Sequence, residues 1–400
     1  MAAGPIKLGR SYIKQQAAWG TKLTTFADAD AIDVQGTFIP AGTQEALGQP
    51  VQRPAFGASP KQGGSKAGGT VNLTWVMTDF TGTTDTVEHQ LIEDALGTLQ
   101  AVAGIGTIDN TSIATRLDMT TGDADWIGQG FLVGLTGGGK QIAWVKDVDT
   151  VSTPNEADIT TVAAVPDSAV SVEATITIAL DETNLANLPF TMQFQSPSTN
   201  GGFRLWDGRV SSLTITSNAK GQVTCAATMV FLDWESVDSL TAGPFAFPRT
   251  QVGPNINANS YDETGTAAFC FGELSIAITQ QLTEALCNGS DQGVSQLVTA
   301  DRTVVITERV VASDLYAEAY QAPGTVGERT WGLTSAGATA KHHVACYGAN
   351  IQLAAVSNPV DLGSIWGIER QWEVLSELNP HDGTGGASTT KATNFRISFG

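Results

Sequence analysis

Gly201-Gly202-Phe203-Arg204-Leu205-Trp206-Asp207-Gly208-Arg209-Val210-Ser211-Ser212-Leu213-Thr214-Ile215 is followed by the polar run Ser217-Asn218-Ala219-Lys220-Gly221 and then by a second β-rich segment, Gln222 to Leu232. Two segments rich in Val, Ile, Thr and Phe around a turn that ends in glycine read as a long antiparallel hairpin, entered through a bend at Asp207-Gly208. A weaker echo, Cys346-Tyr347-Gly348-Ala349-Asn350-Ile351-Gln352-Leu353, places a glycine five residues before a leucine, as Gly208 stands before Leu213. The two glycines are candidate bends, and a positive φ at Gly208 is the expectation.

Working outward, the chain before the hairpin holds one helix signal. Thr70 to Phe80 alternates as a strand, with Val71, Leu73, Trp75 and Met77 on one face. From Thr86 to Leu96, Val87, Leu91, Ile92, Ala95 and Leu96 recur at helical spacing, with Asp85 as the expected N-cap and Gly97 as the stop. Short β-like runs separated by Gly-Asp, Gly-Gly-Gly and Pro-Asn turns fill about 107–169 and predict a small, surface-exposed all-β insertion. The alternation returns at Val170 to Leu180. Residues 238–265, rich in Pro, Gly and Asn, read as a linker. Strand, capped helix (Leu315 to Gln321), strand and hairpin then recur in 266–400, which predicts a duplicated module. The first copy spans 70–106 and 170–237. Residues 1–69 read as an arm without a core of its own.

The 400 residues carry 21 Lys and Arg against 40 Asp and Glu, a net charge of −19. Such a chain repels phosphate backbones, which argues against tight nucleic-acid binding. The four cysteines are scattered, with no metal-ligand spacing, so free thiols in a reducing compartment are the expectation. No stretch reaches the roughly 18 apolar residues of a membrane helix. Gly134 to Gln141 nearly matches a phosphate-binding loop but ends in Gln141 instead of a hydroxyl residue, and no helix pattern follows; it reads as a hairpin turn. His342 and His343, adjacent on a strand, point to opposite faces. The sequence therefore offers no catalytic constellation, no metal site and no cofactor site. Among the nine tryptophans, Trp19 and Trp126 lie in segments without an evident local core and, with Tyr12 of the arm, are candidate inter-subunit anchors.

The succession of Trp19-Gly20-Thr21 in a glycine-initiated arm, Val71 and Leu73 to Leu96-Gly97, Gly202-Phe203 through Gly208 to Leu213, Gly243-Pro244-Phe245 and Leu274-Ser275-Ile276 resembles the major tail (tail tube) proteins of long, non-contractile-tailed bacteriophages. The resemblance spans nearly the whole chain through order rather than through any one motif. It implies a mainly β fold of duplicated sandwich or barrel modules, each with a short packed helix, that closes into rings of three or six chains. Stacked rings would form the hollow tube through which the genome passes. It also implies partners: other copies of the chain, a tape measure, a tail terminator, a distal tail protein, and DNA in transit without a membrane. The implied location is the virion tail, after assembly in the bacterial cytoplasm. Arg209, Ser211, Leu213, Gln222, Thr224, Asn350 and Gln352 are the implied ring-wall residues. An adhesive or carbohydrate-binding β-sandwich of a virion surface, with Trp126 as a sugar platform, is the competing expectation.

Overall fold

The computed structural model describes residues 10–35, 43–48, 61–78, 86–102, 106–119, 126–152, 154–173, 175–181, 187–195, 201–218, 221–238, 259–262, 267–287, 294–311, 322–334, 343–362, 366–375 and 394–400. The expected second helix at 315–321, most of the 238–265 linker, and Asp85 lie outside them.

In chain order the first strands are β1 (Arg10–Gln15), β2 (Ala31–Ile32), β3 (Thr43–Gly48), β4 (Lys61–Ala67) and β5 (Gly69–Val76). Helix α1 (Val87–Leu96) precedes β6 (Gly97–Val102), β7 (Gly106–Thr107), β8 (Arg116–Met119), β9 (Gly130–Gly134), β10 (Lys140–Asp149), β11 (Asn155–Ile159) and β12 (Ser171–Val172). Then come β13 (Thr175–Leu180), β14 (Phe190–Gln195), β15 (Gly202–Asn218), β16 (Thr224–Val237), β17 (Asn259–Asp262) and β18 (Ala267–Leu286). The last are β19 (Val294–Val311), β20 (Val326–Thr334), β21 (Val344–Asp361), β22 (Trp366–Val374) and β23 (Phe395–Phe399).

The protein is mainly β, and among the described residues fifteen strands form one sheet system. The long hairpin is real: β15 and β16 pair antiparallel from Gly202↔Val237 to Thr216↔Thr224. On its far side β15 pairs with β18, which joins the two halves of the chain through backbone hydrogen bonds. The second half closes on itself. β18 pairs with β19, β19 with β22, β22 with β21, β21 with β20, β20 with β17, and β17 again with β18.

α1 lies against β15, β13 and β6 and buries Leu91, Ile92, Ala95 and Leu96 in the main core. Its N-cap is Thr86, not Asp85: the Thr86 side chain accepts the His89 amide while the His89 ring accepts the Thr86 amide. His89 is fully buried, 5.0 Å from the Phe399 ring. Gly97 ends the helix with φ 135°, as a stop glycine should.

Two expectations are corrected here. The arm is not coreless throughout, because β1 pairs along its whole length with β14 and Tyr12 and Ile13 are fully buried. The insertion is not a free surface unit. Its sheet, ordered β8-β11-β10-β9, has its own core around Phe131, Val133 and Val145, yet its other face presents Leu132, Ile142 and Trp144 to Ala345, Tyr347 and Ala349 of β21. Trp144 stacks on Tyr347 at 5.8 Å, and Lys146 pairs with Glu328.

Candidate functional site

The main sheet has one buried face, and the alternation of β5, β16, β15, β18, β19 and β22 decides what the other face displays. Leu213 and Ile215, Cys225 and Met229, Ile276 and Ile278, and Val304 and Ile306 all point into the core. The residues between them lie side by side in cross-strand rows. One row runs Asn72, Thr228, Ser212, Thr279, Thr303. The next runs Thr74, Ala226, Thr214, Ala277, Val305, Glu373, and a third runs Thr224, Thr216, Ser275, Thr307, Gln371. The strands thus build a solvent-facing surface of hydroxyls. Thr228 donates to Asn72 at 2.9 Å across it. A fourth row, Asn218, Glu273, Arg309, Glu369, holds the only base of the four. Arg309 donates to Glu273 and to Glu369, each at 2.7 Å, so its charge is neutralised in place.

Two buried ionic clusters hold this sheet. Asp94 of α1 accepts the Arg209 Nε at 2.5 Å and the Val210 amide at 2.7 Å. Burial pushes the Asp94 carboxyl up, while Arg209 and the Val210 amide pull it down. Arg209 also donates to the Leu297 carbonyl and to Thr299, so one guanidinium ties α1, β15 and β19 together. In the second half, Glu308 accepts the indole N–H groups of Trp331 at 3.0 Å and Trp372 at 2.8 Å and pairs with Arg370 at 2.7 Å. Burial opposes ionisation of Glu308, but Arg370, Arg329 and the two indoles outweigh it and hold its carboxyl below the ordinary glutamate value.

The expected wall residues divide between the two faces. Thr224 stands on the hydroxyl face, Gln222 is half-buried just ahead of it, and Ser211 is half-buried at a β-bulge between Val210 and Ser212. The bulge shifts the phase, so Arg209 stands opposite Val230 and Leu213 opposite Ala227, on opposite faces of the ladder, and both are fully buried. Asn350 is buried, and Gln352 is half-buried with its amide donating to the Gly324 carbonyl at 3.5 Å. Arg209, Leu213 and Asn350 are therefore not surface wall residues of the chain.

The anchors are also relocated. Tyr12 is fully buried 5.7 Å from Phe26, Trp19 packs on Leu232, Val294 and Leu297, and Trp126 stands edge-on to Phe131. Each is engaged within its own chain, Trp19 with residues more than 200 positions away. At the bend, positive φ belongs to Asp207 (φ 56°) and not to Gly208 or Gly348. The Asp207 carboxylate accepts Gln16 Nε2 at 3.0 Å and the Gly20 amide at 2.8 Å, while the Asp207 amide donates back to Gln16 Oε1 at 2.9 Å. Gly208 is needed for space: a Cβ there would lie 2.2 Å from Phe231 Cε1, and one at Gly348 would lie 2.5 Å from Ile351 Cγ2. Gly137, Gly138 and Gly139 make the turn between β9 and β10, each with positive φ.

Two signals for this site were present in the sequence. Ser or Thr stands at alternate positions 212, 214 and 216 of β15 and returns at Ser275 and Thr279 of β18 and at Thr303 and Thr307 of β19, and Glu308 interrupts the apolar phase of Val304, Ile306 and Val310. Among the described residues no helix is long and apolar enough to cross a membrane. No protein-family model matches the chain, and no curated protein matches it in sequence.

Proposed function

We propose that the protein is a structural virion subunit that assembles into stacked rings and so builds the hollow tail tube through which phage DNA passes. The observation that carries this reading is the hydroxyl face of the main sheet. It offers Ser, Thr, Asn and Gln in cross-strand rows with one arginine, and that arginine is held between two carboxylates. A conduit for DNA needs a wetted wall without free bases, because each unpaired Lys or Arg that meets a phosphate releases counterions and makes the wall adhesive. The net charge of −19 acts in the same sense.

Two further features support the reading. A broad sheet made of long hairpins is stable to aggregation when its edges are paired by neighbouring copies in a closed ring. The buried Asp94–Arg209 and Glu308–Arg370 pairs fix the register of those hairpins. In this account the tape measure, tail terminator and distal tail protein are the other partners, and the virion tail is the location. Three copies close the ring if each chain supplies two equivalent modules, and six if it supplies one. Negative-stain microscopy of the purified chain tests the proposal. Rings or tubes are expected, and a chain that stays monomeric at high concentration refutes it.

The adhesive reading loses its motivating observation, since Trp126 is packed against Phe131 instead of standing free in a loop. Silence on a glycan array is expected.

A further inference from the structure

Arg309 is the one base in the four cross-strand rows of the hydroxyl face, and the ladders set it directly between two carboxylates, Glu273 on β18 and Glu369 on β22. The β18 ladder skips Gly272 on passing from Phe271 to Glu273, and that bulge brings Glu273 level with Arg309. Neighbouring strands lie about 4.8 Å apart, so both carboxylates reach the guanidinium. Its Nε donates to Glu369 and its Nη1 to Glu273, each at 2.7 Å, and the side chain is still 42% exposed. A guanidinium carries five N–H donors. Two are taken by the glutamates, and among the described residues nothing else accepts from Arg309, so three donors on Nη1 and Nη2 remain at the exposed face. Asn218, Thr307 and Gln371 surround the triad with uncharged donors.

Stability does not account for this rung, because exposed ion pairs contribute little. Neutralising Arg309 does not account for it either, since one carboxylate suffices and two against one guanidinium leave a net charge of −1. We infer that Arg309 is the wall's phosphate contact and that Glu273 and Glu369 are the residues that keep the contact transient. The planar fork of arginine suits a phosphate, and the three remaining donors are placed to meet one. A phosphate that reaches them also meets two carboxylates in the same rung, so the contact forms and lets go. Without the glutamates each copy of Arg309 would hold a phosphate and release counterions, and these contacts would multiply along a tube with one triad per chain. Without Arg309 the two glutamates would only repel. The triad thus sets the wall between grip and repulsion, an inference that rests on the tail-tube reading above.

The test uses tubes of the full chain and a short fluorescent duplex DNA, read by co-sedimentation. Glu273→Gln with Glu369→Gln should retain the duplex at low salt, where wild-type tubes do not, and a rise in salt of about fourfold should weaken each contact by about threefold. Adding Arg309→Gln to that pair should return retention to the wild-type level, which a general loss of negative charge would not do. If the double variant does not assemble, each single glutamate variant carries the same comparison, with and without Arg309→Gln. Tubes of the glutamine variants that retain no more DNA than wild type, or that retain as much with Arg309→Gln, overturn the assignment and leave the triad a structural rung, while the tail-tube reading stands. A wild-type chain that forms no tubes overturns that reading, and the assignment with it.

Discussion

Asp94 Oδ1 lies 2.5 Å from Arg209 Nε, and neither side chain has any exposure to solvent. The two residues are 115 positions apart, one on the helix and one on the long hairpin. A buried ion pair adds little over an apolar pair of the same shape, but losing one member strands the other charge. Asp94→Ala should therefore cost about 3 to 5 kcal/mol in urea denaturation, whereas Asp94→Leu combined with Arg209→Met should cost much less. Equal losses in the single and double variants would contradict this role.

Glu308 sets the acid limb of stability. Its carboxyl is held below the ordinary value of 4.5, burial notwithstanding, by Arg370, Arg329 and the indoles of Trp372 and Trp331. The native state then binds fewer protons than the unfolded chain, so the contribution of Glu308 is present above the ordinary glutamate range and is lost as pH falls through the folded value. Glu308→Gln should be less stable than wild type at neutral pH, and the gap should narrow as the solution is acidified. A gap independent of pH would contradict the assignment.

The bend separates two roles that glycine and aspartate are often assumed to share. Gly208→Ala must push against Phe231, which is itself buried, and should cost about 1 to 3 kcal/mol. Adding Phe231→Leu should recover part of that loss. Failure of any recovery in thermal denaturation would mean that the backbone, and not the ring, limits the site.

These positions show how far the sequence could be read. The alternation of Leu213, Thr214, Ile215 and Thr216 revealed a half-buried strand, and the apolar spacing from Val87 to Leu96 revealed the helix, because both signals are local. The burial of Arg209 was hidden because the groups that enclose it, Asp94, Leu297 and Thr299, lie far away in sequence. Tyr12 looked like an exposed anchor because the arm folds back to pack Leu23, Phe26 and Ala31 on it while β1 pairs with β14, about 180 residues further on. Likewise, nothing near Trp144 in sequence announces that it stacks on Tyr347. Long-range pairing, not composition, determines all three.

The Trp144–Tyr347 stack makes the insertion part of the main body. Trp144→Ala should lower stability by about 3 to 5 kcal/mol and speed hydrogen exchange in both β10 and β21. Exchange that changes in β10 alone would show that the inserted sheet folds independently of its support.

The hydroxyl face offers a gain-of-function test. Ala226→Lys with Thr303→Lys places two bases on exposed sheet positions and should alter monomer stability by only about 0.5 kcal/mol. Assembled tubes of this variant should retain DNA at low salt and release it as salt rises, while wild-type tubes should not retain it. Equal retention by both would remove the face from the lumen.

The most direct measurement is a class average viewed down the axis of assembled particles. The account predicts a closed ring with an open centre, three- or sixfold symmetric, with the sheet carrying Thr214, Thr279 and Thr303 turned toward the hole. Particles without a central channel, or a ring whose hole is lined by the inserted β8–β11 unit, would contradict it.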